Sequence, residues 1–163
     1  MESLINDALR AALTEQIGAE RYNAQLYLYI SAWLNNLGLD NLAKFFMKQH
    51  DEEIGHSLII VKLMTDLNSR VDIPEINGCS INFSNIQDIA KTFLDAEINT
   101  TNSLSEIREL ADGEKCSIVR NRMDDMIELQ QSEMEESYGF SDRANVLSEW
   151  WQVALWDASL NGD

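Results

Sequence analysis

Residues 69–85 read SRVDIPEINGCSINFSN, a stretch without helical periodicity that holds the only proline of the 163-residue chain, Pro74, beside Gly78 and several Asn and Ser residues. A connection this long inside a compact domain needs a task, and the simplest is to carry the chain along the full length of a helical bundle. The flanking segments agree. On the N-terminal side Leu9, Leu13, Ile17, Ala24, Tyr27 and Ser31 or Leu34 recur at three- or four-residue steps, predicting a helix from about Ser3 to Leu37 that Gly38 closes. Asp40 is read as the N-cap of a second helix, through Leu42, Phe46, Ile54, Leu58 and Val61 to about Asn68. On the C-terminal side Ser84 or Asn85 can cap a third helix carrying Ile89, Phe93, Leu94, Thr101, Leu104 and Leu110, which stops at Asp112-Gly113. A fourth, from about Glu114 to Tyr138, presents Ile118, Met123, Met126, Ile127 and Met134 before Gly139. Val146, Leu147, Trp150, Trp151, Val153, Leu155 and Trp156 predict a short apolar fifth helix. Two hairpins and one long crossover make an all-α four-helix bundle with a fifth C-terminal helix, read as a single domain over residues 1–163.

Composition narrows the function. Asp and Glu number 28 against 12 Lys and Arg, a formal charge of −16. That excess repels a phosphate backbone, and no Lys/Arg cluster offers a local footprint, so no nucleic-acid partner is expected. No segment approaches the ~18 consecutive apolar residues of a membrane span. MESLINDALR lacks the basic start and apolar core of a signal peptide, so a cytoplasmic chain with no membrane partner is expected. Cys79 and Cys116 form no CxxC pair, which leaves zinc ribbons, iron–sulfur ligation and thioredoxin-like chemistry unsupported. Cations are the natural partners.

The polar residues on the inward stripes indicate which cations. Glu53 and His56, three apart in DEEIGH, share one face of the second helix. Glu20 lies on the stripe of Ile17, Ala24 and Tyr27, and Glu97 on that of Phe93, Leu94, Thr101 and Leu104. Gln130 and Glu133 follow Met123, Met126 and Ile127 on one face of the fourth helix. Thirty-three residues separate Glu20 from Glu53, and 33 separate Glu97 from Gln130. Two similarly built hairpins related by a pseudo-twofold axis would show that repeat. An unpaired buried carboxylate costs several kcal/mol, and no Lys or Arg falls on the stripe near Glu20. Two divalent ions would neutralise Glu20, Glu53, Glu97 and Glu133, with His56 as nitrogen ligand. Oxygen-rich ligation with one imidazole and no thiolate suits iron or manganese.

These residues carry a resemblance. LTEQIGAERYNAQLYLYISAW around Glu20, FFMKQHDEEIGH around Glu53 and His56, FLDAEI around Glu97 and LQQSE from Leu129 to Glu133 resemble the non-haem bacterial ferritins, along essentially the whole chain. The resemblance implies a ferritin-like fold and one iron site of Glu20, Glu53 and His56. It makes Glu53 a bridge to a second site of Glu97 and Glu133, with Gln130 beside the irons. Tyr27 matches a family tyrosine that orients a carboxylate or gives up an electron; a core aromatic is the equal alternative. The implied activity is ferroxidase: two Fe ions per subunit pass from Fe(II) to Fe(III) with dioxygen or hydrogen peroxide as oxidant. A hollow homo-oligomeric shell of 24 subunits would then store the product.

Departures from the family pattern qualify this. Gln130-x-x-Glu133 replaces a second Glu-x-x-His, so the two sites should be unequal, the second weaker. Ile54 stands where bacterioferritins carry their haem-ligating methionine, and no haem is expected. Leu129 and Ser132 fall where further glutamates would build a third iron site, leaving Glu52 without partners. A one-turn register slip would put Glu136 in place of Glu133 but break the 33-residue symmetry. His50 is read as a surface or subunit-contact residue. A rubrerythrin-like peroxidase and a non-catalytic iron-storage shell subunit are the rival functions.

Overall fold

The computed structural model describes residues 2–160. Five helices follow in order: α1 (Asp7–Asn36), α2 (Asp40–Asp66), α3 (Ile86–Gly113), α4 (Ser117–Asn145) and α5 (Trp150–Ser159). No strand occurs among the described residues. α1 packs along α2, α3 packs along α4, and residues 67–85 cross between the two hairpins without forming an element. At 1.5 Å per residue the 30 residues of α1 span about 45 Å.

The crossover is laid along α1. Pro74 packs on Gly18, where an added Cβ would lie 2.8 Å from the proline Cγ. Farther along, Gln25 Nε2 donates to the Asn77 carbonyl at 2.6 Å and the Tyr29 hydroxyl to the Ile81 carbonyl at 2.7 Å. Tyr29 and Trp33 then meet Phe83, the Trp33 ring edge-on at 5.4 Å.

The apolar core is split. One cluster gathers Tyr27, Ile30, Leu34, Phe46, Phe93, Phe140 and Trp156. The other gathers Leu9, Leu13, Ile17, Ile60, Met64, Leu104, Val119 and Met123. Between them the same helices bury polar residues: Gln16, Glu20 and Asn23 on α1, Gln49, Glu53 and Ser57 on α2, Glu97 and Thr100 on α3, Gln130, Glu133 and Ser137 on α4.

Several boundaries differ from the sequence reading. α1 begins at Asp7, capped by Asn6, whose side chain accepts from Leu9 N–H at 2.9 Å. Asp40 is the first helical residue of α2 and not its cap; the Leu42 N–H is taken instead by the Asp157 carboxylate of α5 at 2.7 Å. The buried stripe of α2 runs through Phe46, Gln49, Glu53, Ser57, Ile60 and Met64, while Leu58 faces out and Ile54 and Val61 are only half-buried. Asn85 does cap α3, accepting from Asp88 N–H at 2.9 Å. Cys116 ends the turn and α4 starts at Ser117, with Ile118 exposed. α4 also runs straight through Gly139 to Asn145. An exposed glycine inside a helix costs only about 1 kcal/mol, and Phe140 and Ala144 beyond it are buried.

Candidate metal centre

The split core places four glutamates at one level of the bundle, one from each helix: Glu20 and Glu97 wholly buried, Glu53 and Glu133 nearly so. Each is on its inward stripe because helical periodicity leaves it there, one turn from residues of the apolar clusters. Two groups of possible ligand atoms form. Glu20, Glu53 and His56 offer atoms within 4.8 Å of one another, and so do Glu53, Glu97 and Glu133. Glu53 belongs to both.

His56 faces this acid set from the edge of the core. Its Nδ1 lies 3.6 Å from Glu53 Oε2 and 4.0 Å from Glu20 Oε2, and its Nε2 lies 3.1 Å from Glu133 Oε1. Among the described residues no Lys or Arg pairs with any of the four glutamates; their ion pairs all lie elsewhere. Glu20 Oε2, Glu53 Oε2 and Glu133 Oε2 are buried without a hydrogen-bond partner. Orphaned oxygens of this kind are costly in a core unless an ion or solvent takes them up.

Glu97 is held differently. Its Oε1 accepts from the Tyr27 hydroxyl and its Oε2 from Gln130 Nε2 at 2.5 Å. Tyr27 is fully buried, edge-on to Phe93 at 5.4 Å. Burial and the adjacent Glu97 raise its hydroxyl well above the ordinary range, so it is a donor and not a phenolate. Burial likewise raises Glu53, reinforced by its closeness to Glu20, and pushes Glu133 up to about 9, with the charge of Glu97 adding to it. Glu97 is raised by burial, opposed by the hydrogen bonds from Tyr27 and Gln130. All three shifts express one fact: negative charge is gathered where water cannot solvate it.

The family pattern of the ferritin-like domain matches residues 10–142. The chain belongs to the ferritin-like family. It is 29% identical over 107 residues to ferritin BfrB of Mycolicibacterium smegmatis and 29% identical over 97 residues to a bacterial non-heme ferritin of Campylobacter jejuni. Those alignments cover 66% and 60% of this chain, but only 59% and 58% of the two relatives' own length. A probable bacterial non-heme ferritin-like protein of Haemophilus influenzae is 23% identical over 90% of this chain and 88% of its own. An open-pore ferritin from Archaeoglobus fulgidus superposes with a TM-score of 0.91 at 22% identity, covering 96% of each chain. That likeness is one of fold.

Within this ferritin-like bundle the residues singled out in the sequence, Tyr27, Glu20, Glu53, His56, Glu97, Gln130 and Glu133, lie together. Glu136 lies outside both ligand groups: its carboxylate accepts from Gln49 Nε2 at 2.6 Å and meets Lys48 Nζ at 3.5 Å. Glu52 pairs with the same lysine at 3.4 Å. His50 is half-buried, its Nδ1 2.7 Å from the Ala24 carbonyl. The sequence reading passed over Gln16 and Ser103. Gln16 Nε2 donates to Glu20 Oε1 at 2.7 Å, and the Ser103 hydroxyl donates to Gln16 Oε1 at 2.7 Å. Gln16 stands one turn before Glu20, and that spacing was the available signal.

Proposed function

We propose that the protein binds two Fe(II) ions as substrate at this carboxylate cluster, oxidises them, and stores the ferric product in a shell of identical subunits. The observation that carries the reading is the pair of ligand groups sharing Glu53, with three buried carboxylate oxygens lacking any partner. Hard, oxygen-rich ligation with one imidazole and no thiolate fits Fe(II). Glu20, Glu53 and His56 would hold one ion, and Glu53, Glu97 and Glu133 the other, with Glu53 between them. Each ion gives one electron. Dioxygen takes two electrons and two protons to become hydrogen peroxide, or hydrogen peroxide takes the same to become two waters. The buried carboxyls release protons as the ions bind, since only their ionised form ligates.

The two positions are unequal in this reading. The oxygens aimed at the first ion are free, whereas an ion reaching Glu97 must compete with the Tyr27 and Gln130 donors. Tyr27 orients Glu97 through its hydroxyl and would offer an oxidisable side chain beside the second ion. The names of the relatives, ferritins of bacteria and an archaeon, support storage in a shell, and the exposed Trp151 and Leu155 of α5 offer apolar surface for assembly.

Anaerobic titration with Fe(II), followed by admission of oxygen, tests the reading. Rapid oxidation of two ions per subunit is expected, with Glu53→Ala and His56→Ala losing the fast phase. Variants that oxidise iron as fast as the parent would overturn the catalytic assignment and leave a storage subunit for iron oxidised elsewhere. Sedimentation tests the shell; a stable monomer or dimer would exclude it.

A further inference from the structure

Glu20 has one oxygen held by a neutral amide of its own helix and the other bare. Its Oε1 accepts from Gln16 Nε2 at 2.7 Å, while Oε2 is buried, unpartnered and turned toward His56 Nδ1 at 4.0 Å. Gln16 is itself buried, 2% exposed. Rotating its amide by half a turn would set Oε1 against the carboxylate, acceptor against acceptor. The carboxylate, an acceptor only, therefore fixes the amide, and Ser103 completes the orientation found. Its hydroxyl has a single proton and two acceptors in reach, Gln16 Oε1 at 2.7 Å and the Thr100 carbonyl at 3.0 Å, and the shorter contact is to Gln16.

Resting on the two-ion reading above, we propose that Gln16, braced across the α1–α3 seam by Ser103, is a positioning residue that fixes Glu20 as a one-oxygen ligand of the first ion. The amide suits the task because it is neutral. It holds the carboxylate in one rotamer without cancelling the charge that attracts the ion, whereas Lys or Arg in its place would compete with the metal. Glu97, by contrast, has both oxygens tied, so Gln16 creates an asymmetry that acts on one ion only. Partners of metal ligands commonly contribute about 10- to 100-fold in affinity.

The test uses Zn(II), which binds without oxidation, and follows both binding steps by calorimetry on the full chain, with Co(II) absorption reporting the geometry of the first site. Gln16→Leu keeps the bulk and helical preference of the side chain but removes the donor. It should weaken the first binding step by about tenfold, leave the second step within error, and alter the Co(II) spectrum. Ser103→Ala should give a smaller loss at the same step, and no further loss in a Gln16→Leu background, because Ser103 acts only through Gln16. Equal weakening of both steps, unchanged affinity in Gln16→Leu, or an undiminished Ser103→Ala effect in the double variant overturns the proposal. Parent protein that binds no divalent ion overturns the two-ion reading instead.

Discussion

Glu133 shows how burial and charge act on a single side chain. Its carboxyl is pushed up to about 9, against ~4.3 for an unperturbed glutamate, and Glu53 and Glu97 are shifted the same way. A group whose folded value is raised binds protons more tightly in the native state. Its stabilising effect is therefore complete below about pH 4 and is lost as pH rises through the folded value. The thermal midpoint of metal-free protein is expected to fall from pH 5 to pH 9, and Glu133→Gln should flatten that slope. A saturating divalent ion should reverse it, because the ion takes the carboxylates deprotonated. Calorimetric scans across this range, with and without Zn(II), check both signs. Helical spacing made Glu20, Glu53, His56, Glu97, Gln130 and Glu133 legible as one inward set. Gln16 and Ser103 were not, because a neutral amide and a hydroxyl resemble ordinary helix-surface residues until the facing helix is in place.

At the level of elements, two contacts decide how the bundle is closed. Asp157 of α5 accepts the Leu42 N–H at the start of α2, a donor that α2's own N-terminal residues leave unmet, and Asn41 Nδ2 returns a bond to the Asp157 carbonyl at 3.0 Å. Asp157→Ala is expected to cost about 1–2 kcal/mol, as loss of an N-cap does. Denaturant unfolding measures it, and faster proteolysis of α5 should accompany it. The crossover depends on Gly18, whose missing Cβ admits Pro74. Gly18→Val should lift residues 69–85 from α1 and destabilise by about 1–3 kcal/mol as an overpacked site does, with cleavage in that segment rising in parallel. The length of the crossover and the periodicity of its flanking helices were readable from the chain. The cap of α2 was not, since its acceptor lies 115 residues away. Nor was the passage of α4 through Gly139, where burial of Phe140 and Ala144 outweighs a glycine's weak helical preference.

For the whole molecule, the question is what its remaining apolar surface meets. No described helix is long and apolar enough to cross a membrane. On α5, Trp156 reaches back to Phe140 at a centroid distance of 5.0 Å, and Trp150 leans on Trp33, but Trp151 and Leu155 stay 63% and 62% exposed. If these side chains join subunits, Trp151→Glu with Leu155→Glu should yield a smaller species in sedimentation, while circular dichroism keeps the helical signal of the parent. A full-sized assembly in that variant would place the subunit contacts elsewhere. Because the carboxylate cluster lies inside one bundle, Zn(II) affinity should survive such disassembly.

The sequence by itself determined the number of helices, the hairpin–crossover–hairpin order and the inward set of Glu20, Glu53, Glu97, Gln130 and Glu133, because periodicity and punctuation act within a few residues of one another. Only the tertiary structure decided which oxygens are tied and which are bare. Tyr27 and Gln130 close on Glu97, and Gln16 and Ser103 leave one oxygen of Glu20 open. The Tyr27, Gln130 and Ser103 contacts join separate helices across the core, and no periodicity along a single helix encodes the distance between them.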